Sequence, residues 1–440
     1  MSVRALAVNI VNNVFKNKAY SNILLNNEIK KQDINSKDIG LLTEIVYGTI
    51  KYKLTIDYII NDLSRNRLST IDDYILNVLR IAIYQMKYLD KVPDYAVVNE
   101  AVNLAKSKSI SSSKFVNGIL RSYLRSDKKE NFKGKSIVDE LSLKYSFEKW
   151  MVSLFLKDYG KEATEYILKG LNTVPKTTVR VNSLLGDYDE VYNQLQEANY
   201  DVYEGSVCPE AIVINRGRAI ESNELFNKGY ITVQDESAML VGGVVDVNKD
   251  CVVFDLCSAP GGKATHLSEL SEDKAKVYAF DIHEQKLELI KENAKRLKIK
   301  NIEVAKLDAT AFNEDLVNKA DRVLMDVPCS GLGIIRKKPE IKWFKTKEEL
   351  KAIIEIQRKI MKNGARYLKS GGIMVYSTCT LNKEENEENV KWFLNNNKEF
   401  SLDKIYFGNV ENIIYNENGS VTILPNMHMD GFFIAKFKKL

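Results

Sequence analysis

Three histidines and five cysteines are all that this 440-residue chain offers as soft metal ligands. No two of the cysteines (Cys208, Cys251, Cys257, Cys329 and Cys379) form a CxxC pair, so the spacing of a structural zinc site is missing and no metal is expected. A disulfide framework is not expected in a long chain of this kind either, which leaves lone thiols, buried and inert unless something activates them. No run approaches the roughly 18 to 20 consecutive apolar residues of a membrane helix, so no membrane partner is expected. The start, MSVRALAVNIVNNVF, sets Val3, Leu6, Ala7, Ile10 and Val14 on one helical face, with asparagines interrupting any signal-peptide core. The expectation is a folded first helix in a cytoplasmic protein. Internal repeats and long low-complexity tracts are also missing.

What is present is a globular composition, 45% hydrophobic and 28% charged, long enough for two or three domains. The net charge of +5 is unevenly spread: residues 1–126 carry 18 Lys and Arg against 11 Asp and Glu, and residues 136–440 are mildly acidic. A basic front suggests a polyanionic partner such as nucleic acid, against the competing reading of ordinary solvated lysines. Residues 1–126 read as all helical. Ile75, Val78, Leu79, Ala82, Ile83 and Met86 follow the helical period up to Pro93, Asp94 is placed to cap the next helix, and the serines from Ser109 to Ser113 break it. Residues 127–135 (DKKENFKGK) read as a linker. Residues 136–233 mix helical segments with short strands such as Thr177–Asn182 and Ala211–Ile214, an α+β connector.

Residues 234–440 alternate strand and helix, the signature of a mostly parallel sheet wound on both faces. Its first strand, Cys251–Phe254, runs into DLCSAPGGKATHL, a glycine turn that opens a helix. Ligands of such sheets sit at the carboxyl ends of the strands, where glycines let a backbone approach closely. A Walker loop is excluded, because Cys257 stands where its first glycine belongs and Ala264 follows Lys263; Gly-x-Gly-x-x-Gly is also absent. S-adenosylmethionine, which has no phosphates to cradle, remains; an ordinary tight turn is the competing reading. Asp281 closes the second strand, placed for ribose hydroxyls, and Asp308 the third, placed for the adenine amino group. Either could instead be a loop carboxylate. The fifth strand is expected at Ile373–Tyr376, after a turn at Gly371-Gly372.

Cys329, in DVPCSG, and Cys379, in STCTL, follow the adjacent fourth and fifth strands, so both can project into one crevice. Two thiols suit methylation at carbon-5 of a pyrimidine, a poor nucleophile. A thiolate adding at carbon-6 enriches carbon-5 in electrons, and a base later removes the carbon-5 proton so that the thiolate can leave. Asp326 is a candidate for the ring nitrogen-3. The residues alone do not choose between the thiols.

Two resemblances bear on this. LRIAIYQMKYLDKVPDYAVVNEAVNLAK followed by FVNGILR resembles the NusB family of small helical RNA-binding proteins, which implies a grip on RNA or a protein partner and no chemistry. DLCSAPGGKATHL, DVPCSG, STCTLNKEENE and DGFFIAKF resemble, in order, the motifs of the Sun/NOL1/NOP2 RNA cytosine-5 methyltransferases. Together they imply a three-part protein: an all-α NusB-like domain (1–126), a small α+β connector like an RNA-recognition motif (136–233), and a Rossmann-like α/β class I methyltransferase domain (234–440). The implied substrate is a cytosine of 16S rRNA. The implied cofactor site is Cys257, Ser258, Ala259, Pro260, Gly261, Gly262 and Lys263 with Asp281, Asp308 and Asp326. Cys379 is implied as the nucleophile, Cys329 as the residue that assists release, and Lys263 as a second group facing the base. One departure from the family is the missing proline before Trp150, in SFEKW.

Overall fold

A computed structural model of the chain describes residues 2–32, 34–64, 66–128 and 134–440. It divides into two compact units, one of residues 1–172 with 335–344, the other of residues 173–334 with 345–440. Among the described residues no helix is long and apolar enough to cross a membrane.

The first unit is helical. Its centre is the helix Asp73–Tyr88, buried without a break from Ile75 to Met86. A helix apolar on nearly every face must be surrounded by others, and Val3–Asn17, Ser36–Lys51, Asp94–Lys106 and Ile110–Arg125 surround it. Its one buried cation, Arg80, is satisfied by both carboxylate oxygens of Asp57, at 2.6 and 2.8 Å. Two sequence expectations are corrected. Asp94 is the first residue of its helix and not its cap; its carboxylate instead meets Lys128 at 2.9 Å, because Pro93 fixes an extended backbone at the position before. The serine cluster starts a helix more than it breaks one: Ser109 caps Ile110–Arg125 by accepting from the Ser112 N–H at 2.9 Å.

The expected boundary at 136 lies inside this unit. Helices Ile137–Tyr145 and Lys149–Gly170 belong to it, because the Ser146 hydroxyl accepts from the Leu54 and Thr55 amides and the Thr55 hydroxyl donates to the Leu143 carbonyl. Of the expected linker, residues 129–133 lie outside the described residues. A ten-residue segment from far along the chain, Ile335–Phe344, completes the unit. Its Lys342 is fully buried, donates to the carbonyls of Lys51, Tyr145 and Ser146 and to Asn172 Oδ1, and lies 3.6 Å above the Phe147 ring. Burial holds its ammonium well below the usual lysine range.

The second unit holds two sheets. The smaller is antiparallel in the order β2-β3-β1-β4, from β1 (Thr177–Val181), β2 (Asp201–Glu204), β3 (Ala211–Arg216) and β4 (Ile231–Val233). The larger contains β5 (Val252–Asp255), β6 (Lys276–Asp281), β7 (Ile302–Lys306), β8 (Ala320–Asp326) and β9 (Leu368–Thr378), which pair in parallel in the order β7-β6-β5-β8-β9. The order reverses between β5 and β8, and that is where such sheets open a crevice at their carboxyl ends. Asp255 ends one of those two strands and Asp326 the other.

Beyond β9 the sheet turns antiparallel through β13 (Phe432–Lys439), built from DGFFIAKF, with β10 (Phe400–Asp403), β11 (Ile413–Tyr415) and β12 (Val421–Ile423) outside it. The parallel alternation did not reveal those four strands, of which β10, β11 and β12 are short and all are joined by loops without helices. Gly371-Gly372 is also corrected: it is a bulge inside β9 and not a turn before it. The pairing with β8 jumps from Ala320–Leu368 to Arg322–Ile373, and Gly371 takes up the slack at φ +75°.

Candidate active site

The glycine turn is held from three sides. The Leu256 N–H donates to the Leu324 carbonyl of β8 at 3.0 Å, the Ser258 N–H to the Phe280 carbonyl of β6 at 2.7 Å, and Asn293 Nδ2 to the Pro260 carbonyl at 2.9 Å. Gly261 adopts φ +98°, and a Cβ there would press on Ile290, so the turn into the helix Gly262–Leu270 needs glycine. Cys257, Ser258, Ala259 and Pro260 form the loop, and the Ala259–Pro260 peptide is cis.

Carboxylates surround this turn. Asp255, Asp326, Asp281 and Asp308 all act on the Cys257 thiol, and together with burial, the largest influence, they push its pKa well up. Cys257 is therefore a neutral thiol. Asp255 is fully buried, and burial and then the charge of Asp326 push its carboxyl up to about 7, with Lys263 pulling the other way. Both Asp255 oxygens are cut off from solvent, with the Ser258 hydroxyl and the Cys257 backbone as their neighbours. A site of this kind suits a cation: a positive ligand group relieves the crowded carboxylates, whereas a phosphate would add to the repulsion. S-adenosylmethionine, with an ammonium and a sulfonium and no phosphate, fits those residues. Asp281 Oδ1 accepts from the His283 N–H at 2.9 Å and Oδ2 accepts nothing from the described residues. Asp308 Oδ1 accepts from the Thr310 hydroxyl and amide at 2.6 and 2.9 Å, which hold its carboxyl below the usual range; it is a loop carboxylate whose charge also acts on the Cys257 thiol.

The two cysteines come together from β8 and β9. Cys329 Sγ and Cys379 Sγ lie 3.2 Å apart. Next to them runs a chain of three polar groups: Lys263 Nζ donates to Asp326 Oδ2 at 2.7 Å and Ser377 Oγ donates to Asp326 Oδ1 at 2.8 Å. Burial lowers the Lys263 pKa, but Asp326 more than offsets it, so the group is raised overall and remains an ammonium, 5.2 Å from the Phe432 ring centroid. The Cys329 pKa is well above the usual thiol range, chiefly through its contact with Cys379 and then through burial. The structure thus brings Cys379, Cys329, Asp326 and Lys263 into one cluster next to the glycine turn. His428, two residues before DGFF, meets Tyr203 with Nδ1 3.4 Å from the phenol oxygen.

Sequence reasoning missed several residues that hold this site. Gly333 packs so closely on Gly431 and on the Cys379 carbonyl that a Cβ would overlap both, and the Gly333 N–H donates to that carbonyl at 2.9 Å. Arg180, in β1, is fully buried against the helix behind the glycine turn. It binds both oxygens of Glu269, at 2.8 and 2.7 Å, donates to the Gly262 carbonyl at 2.9 Å, and meets Gln234. A lone arginine in an apolar strand was its one signal. Breaking a buried pair by removing one partner costs about 3–5 kcal/mol, because the other charge is left unmatched. Arg180→Met is expected to speed amide hydrogen exchange in β5 and β6, and the double variant with Glu269→Leu to recover most of the protection.

The relatives of this chain agree with its parts. Residues 244–438 match the family described as 16S rRNA methyltransferase RsmB/F, residues 1–125 the NusB family, and residues 147–221 the ferredoxin-like domain of RsmF/B-like methyltransferases. The chain is 37% identical to the probable ribosomal RNA small subunit methyltransferase B of Bacillus subtilis, over 100% of this chain and 99% of that protein. It is 33% identical to the protein of the same description in Synechocystis, over the full length of both. Among solved structures, that of PH0851 superimposes with a TM-score of 0.84 at 28% identity, over 100% of this chain and 99% of the other. With a helical NusB domain, a small ferredoxin-like domain and a mixed-sheet methyltransferase domain, the chain belongs to the ribosomal RNA small subunit methyltransferase B family of S-adenosyl-L-methionine-dependent RNA methyltransferases.

Proposed function

We propose that this chain methylates carbon-5 of one cytosine in 16S rRNA, with Cys379 forming a transient bond to carbon-6 of the base. The observation that carries the reading is the pair of sulfurs 3.2 Å apart next to the Lys263–Asp326 ion pair. When bound, S-adenosylmethionine supplies an electrophilic methyl group. Cys257 to Lys263, Asp255, Asp281 and Asp308 would hold it.

Cys329 lies in hydrogen-bond contact with Cys379, and that contact and burial push its pKa well above the usual thiol range, so Cys329 is the thiol that holds its proton while Cys379 attacks. The Cys379 thiolate adds to carbon-6, the carbon-5 to carbon-6 double bond opens, and its electron pair becomes available at carbon-5. Asp326, which accepts from both Lys263 and Ser377, is hydrogen-bonded as a carboxylate. It can accept a hydrogen bond from the cytosine amino group, and the neighbouring Lys263 ammonium can donate one to nitrogen-3.

After methyl transfer the roles reverse. The largest influence raising the Cys329 pKa is its contact with Cys379. Once the Cys379 sulfur is a thioether that influence is gone, and Cys329 passes its proton to solvent, the one proton that the overall methylation releases, and becomes a base. It then takes the carbon-5 proton, the ring double bond re-forms, and Cys379 leaves as a thiolate. Because the thiolate must reach the face of the ring, the base has to be unstacked, which favours free or partly assembled RNA.

Bisulfite mapping of total RNA from cells with and without this protein tests the proposal. One bisulfite-resistant cytosine in 16S rRNA is expected to disappear with the protein. Loss of a tRNA position instead, or of none, would overturn the assignment.

A further inference from the structure

Two adjacent residues that the reaction does not consume, Glu385 and Asn386, each straddle one of the cysteines. Glu385 is fully buried. Its carboxylate accepts from the Ser330 N–H at 2.9 Å, the Ser330 hydroxyl at 2.5 Å, Gln357 Nε2 at 2.9 Å and Asn382 Nδ2 at 3.1 Å. Gln357 Nε2 also donates to the Pro328 carbonyl at 3.0 Å. The residues on both sides of Cys329 are therefore tied to Glu385, one directly and one through Gln357. Asn386 does the same for the nucleophile: it accepts from the Thr378 hydroxyl at 2.6 Å and donates to the Thr380 carbonyl at 3.0 Å.

A buried carboxylate is costly to desolvate and persists only where several donors converge on it. All the nitrogen partners of Glu385 are donors, so an amide in its place would turn an NH2 group against one of them. From this geometry we infer that Glu385 is a positioning residue that holds the Cys329 sulfur where it can take up the carbon-5 proton, while Asn386 spans Cys379; the two clamps meet where the Ser330 hydroxyl contacts the Thr380 hydroxyl at 2.7 Å. The inference rests on the roles proposed above for the two thiols. Its consequence is a division of labour: adduct formation depends on the Asn386 side of the clamp, adduct resolution on the Glu385 side.

Single-turnover reactions of the full chain with unmodified 16S rRNA transcript and tritiated S-adenosylmethionine separate the two steps, with the covalent RNA adduct read on denaturing gels. Glu385→Gln is expected to form adduct at close to the wild-type rate but to resolve it roughly 10- to 100-fold more slowly, the cost of misplacing a reacting group by about an ångström. A lesion that merely loosened the fold would slow both steps together, and a wild-type ratio of formation to resolution would overturn the inference. Gln357→Met, which cuts the tie to Pro328 but keeps the carboxylate and its Ser330 bonds, is expected to show a smaller delay of the same kind and serves if Glu385→Gln does not fold; an unchanged ratio in it then overturns the inference. Cys329→Ala, run alongside, distinguishes the two levels. If it accumulates no adduct, the assigned role of Cys329 fails and the inference falls with it; if it does and Glu385→Gln does not, only the inference fails.

Discussion

Cys379→Ala is expected to abolish methylation, by on the order of 10⁴-fold or more, the scale of loss when a covalent nucleophile is removed. The reason is electronic. Carbon-5 of cytosine does not attack a methyl group until a nucleophile has added at carbon-6, and the neighbouring sulfur, Cys329, is assigned to the later proton removal. Cofactor binding is expected to survive, because the glycine turn is held by Leu324, Phe280 and Asn293 and owes nothing to Cys379. Incorporation of tritiated methyl groups into 16S rRNA, with calorimetric binding of S-adenosylmethionine alongside, reads both quantities. Activity at the wild-type level would remove Cys379 from the mechanism.

Cys329→Ala is expected to stop the cycle one step later. Addition and methyl transfer proceed, the carbon-5 proton has no base to receive it, and the RNA remains bonded to Cys379 as a band that survives denaturing electrophoresis. The yield should approach stoichiometry with the enzyme, and turnover should fall to the rate at which water or a buffer base removes the proton. The 3.2 Å separation of the sulfurs makes this a test of their order in the reaction, because a base on one sulfur lies within reach of a ring bonded to the other. If instead Cys329→Ala were inert and Cys379→Ala accumulated the adduct, the two roles would be exchanged.

The motifs of this chain are local, and that made them legible. DLCSAPGGKATHL announces a strand, a glycine turn and a helix start within a few residues, and the turn is found as expected, with Gly261 at positive φ. Asp281 ends β6 and Asp308 lies two residues past β7, positions that the strand pattern alone places. The partners of those motifs are distant in sequence. Arg180 lies 82 residues from the Gly262 carbonyl it binds, and Glu385 lies 55 from Ser330. In sequence, Glu385 is one acid in the run KEENEEN, where a solvated helix start is the natural reading, yet it is fully buried. The extent of the helical unit was hidden for the same reason. The polar stretch after residue 126 looks like a division between domains, but helices beyond it carry Ser146 and Leu143, whose partners are in the helix Lys53–Leu63.

The sequence by itself determined the chemistry available: a close-approach turn without a phosphate loop, carboxylates at the ends of parallel strands, and two thiols after adjacent strands. Strand period and the alternation of strand and helix follow from side-chain pattern, and they fix which residues reach the carboxyl ends of the strands. Only the tertiary structure decided how those groups act on one another. Whether a thiol keeps its proton, whether a carboxylate is ionised and which acid is buried all depend on charges and donors a few ångströms away. In this fold those neighbours come from segments dozens of residues apart in the chain.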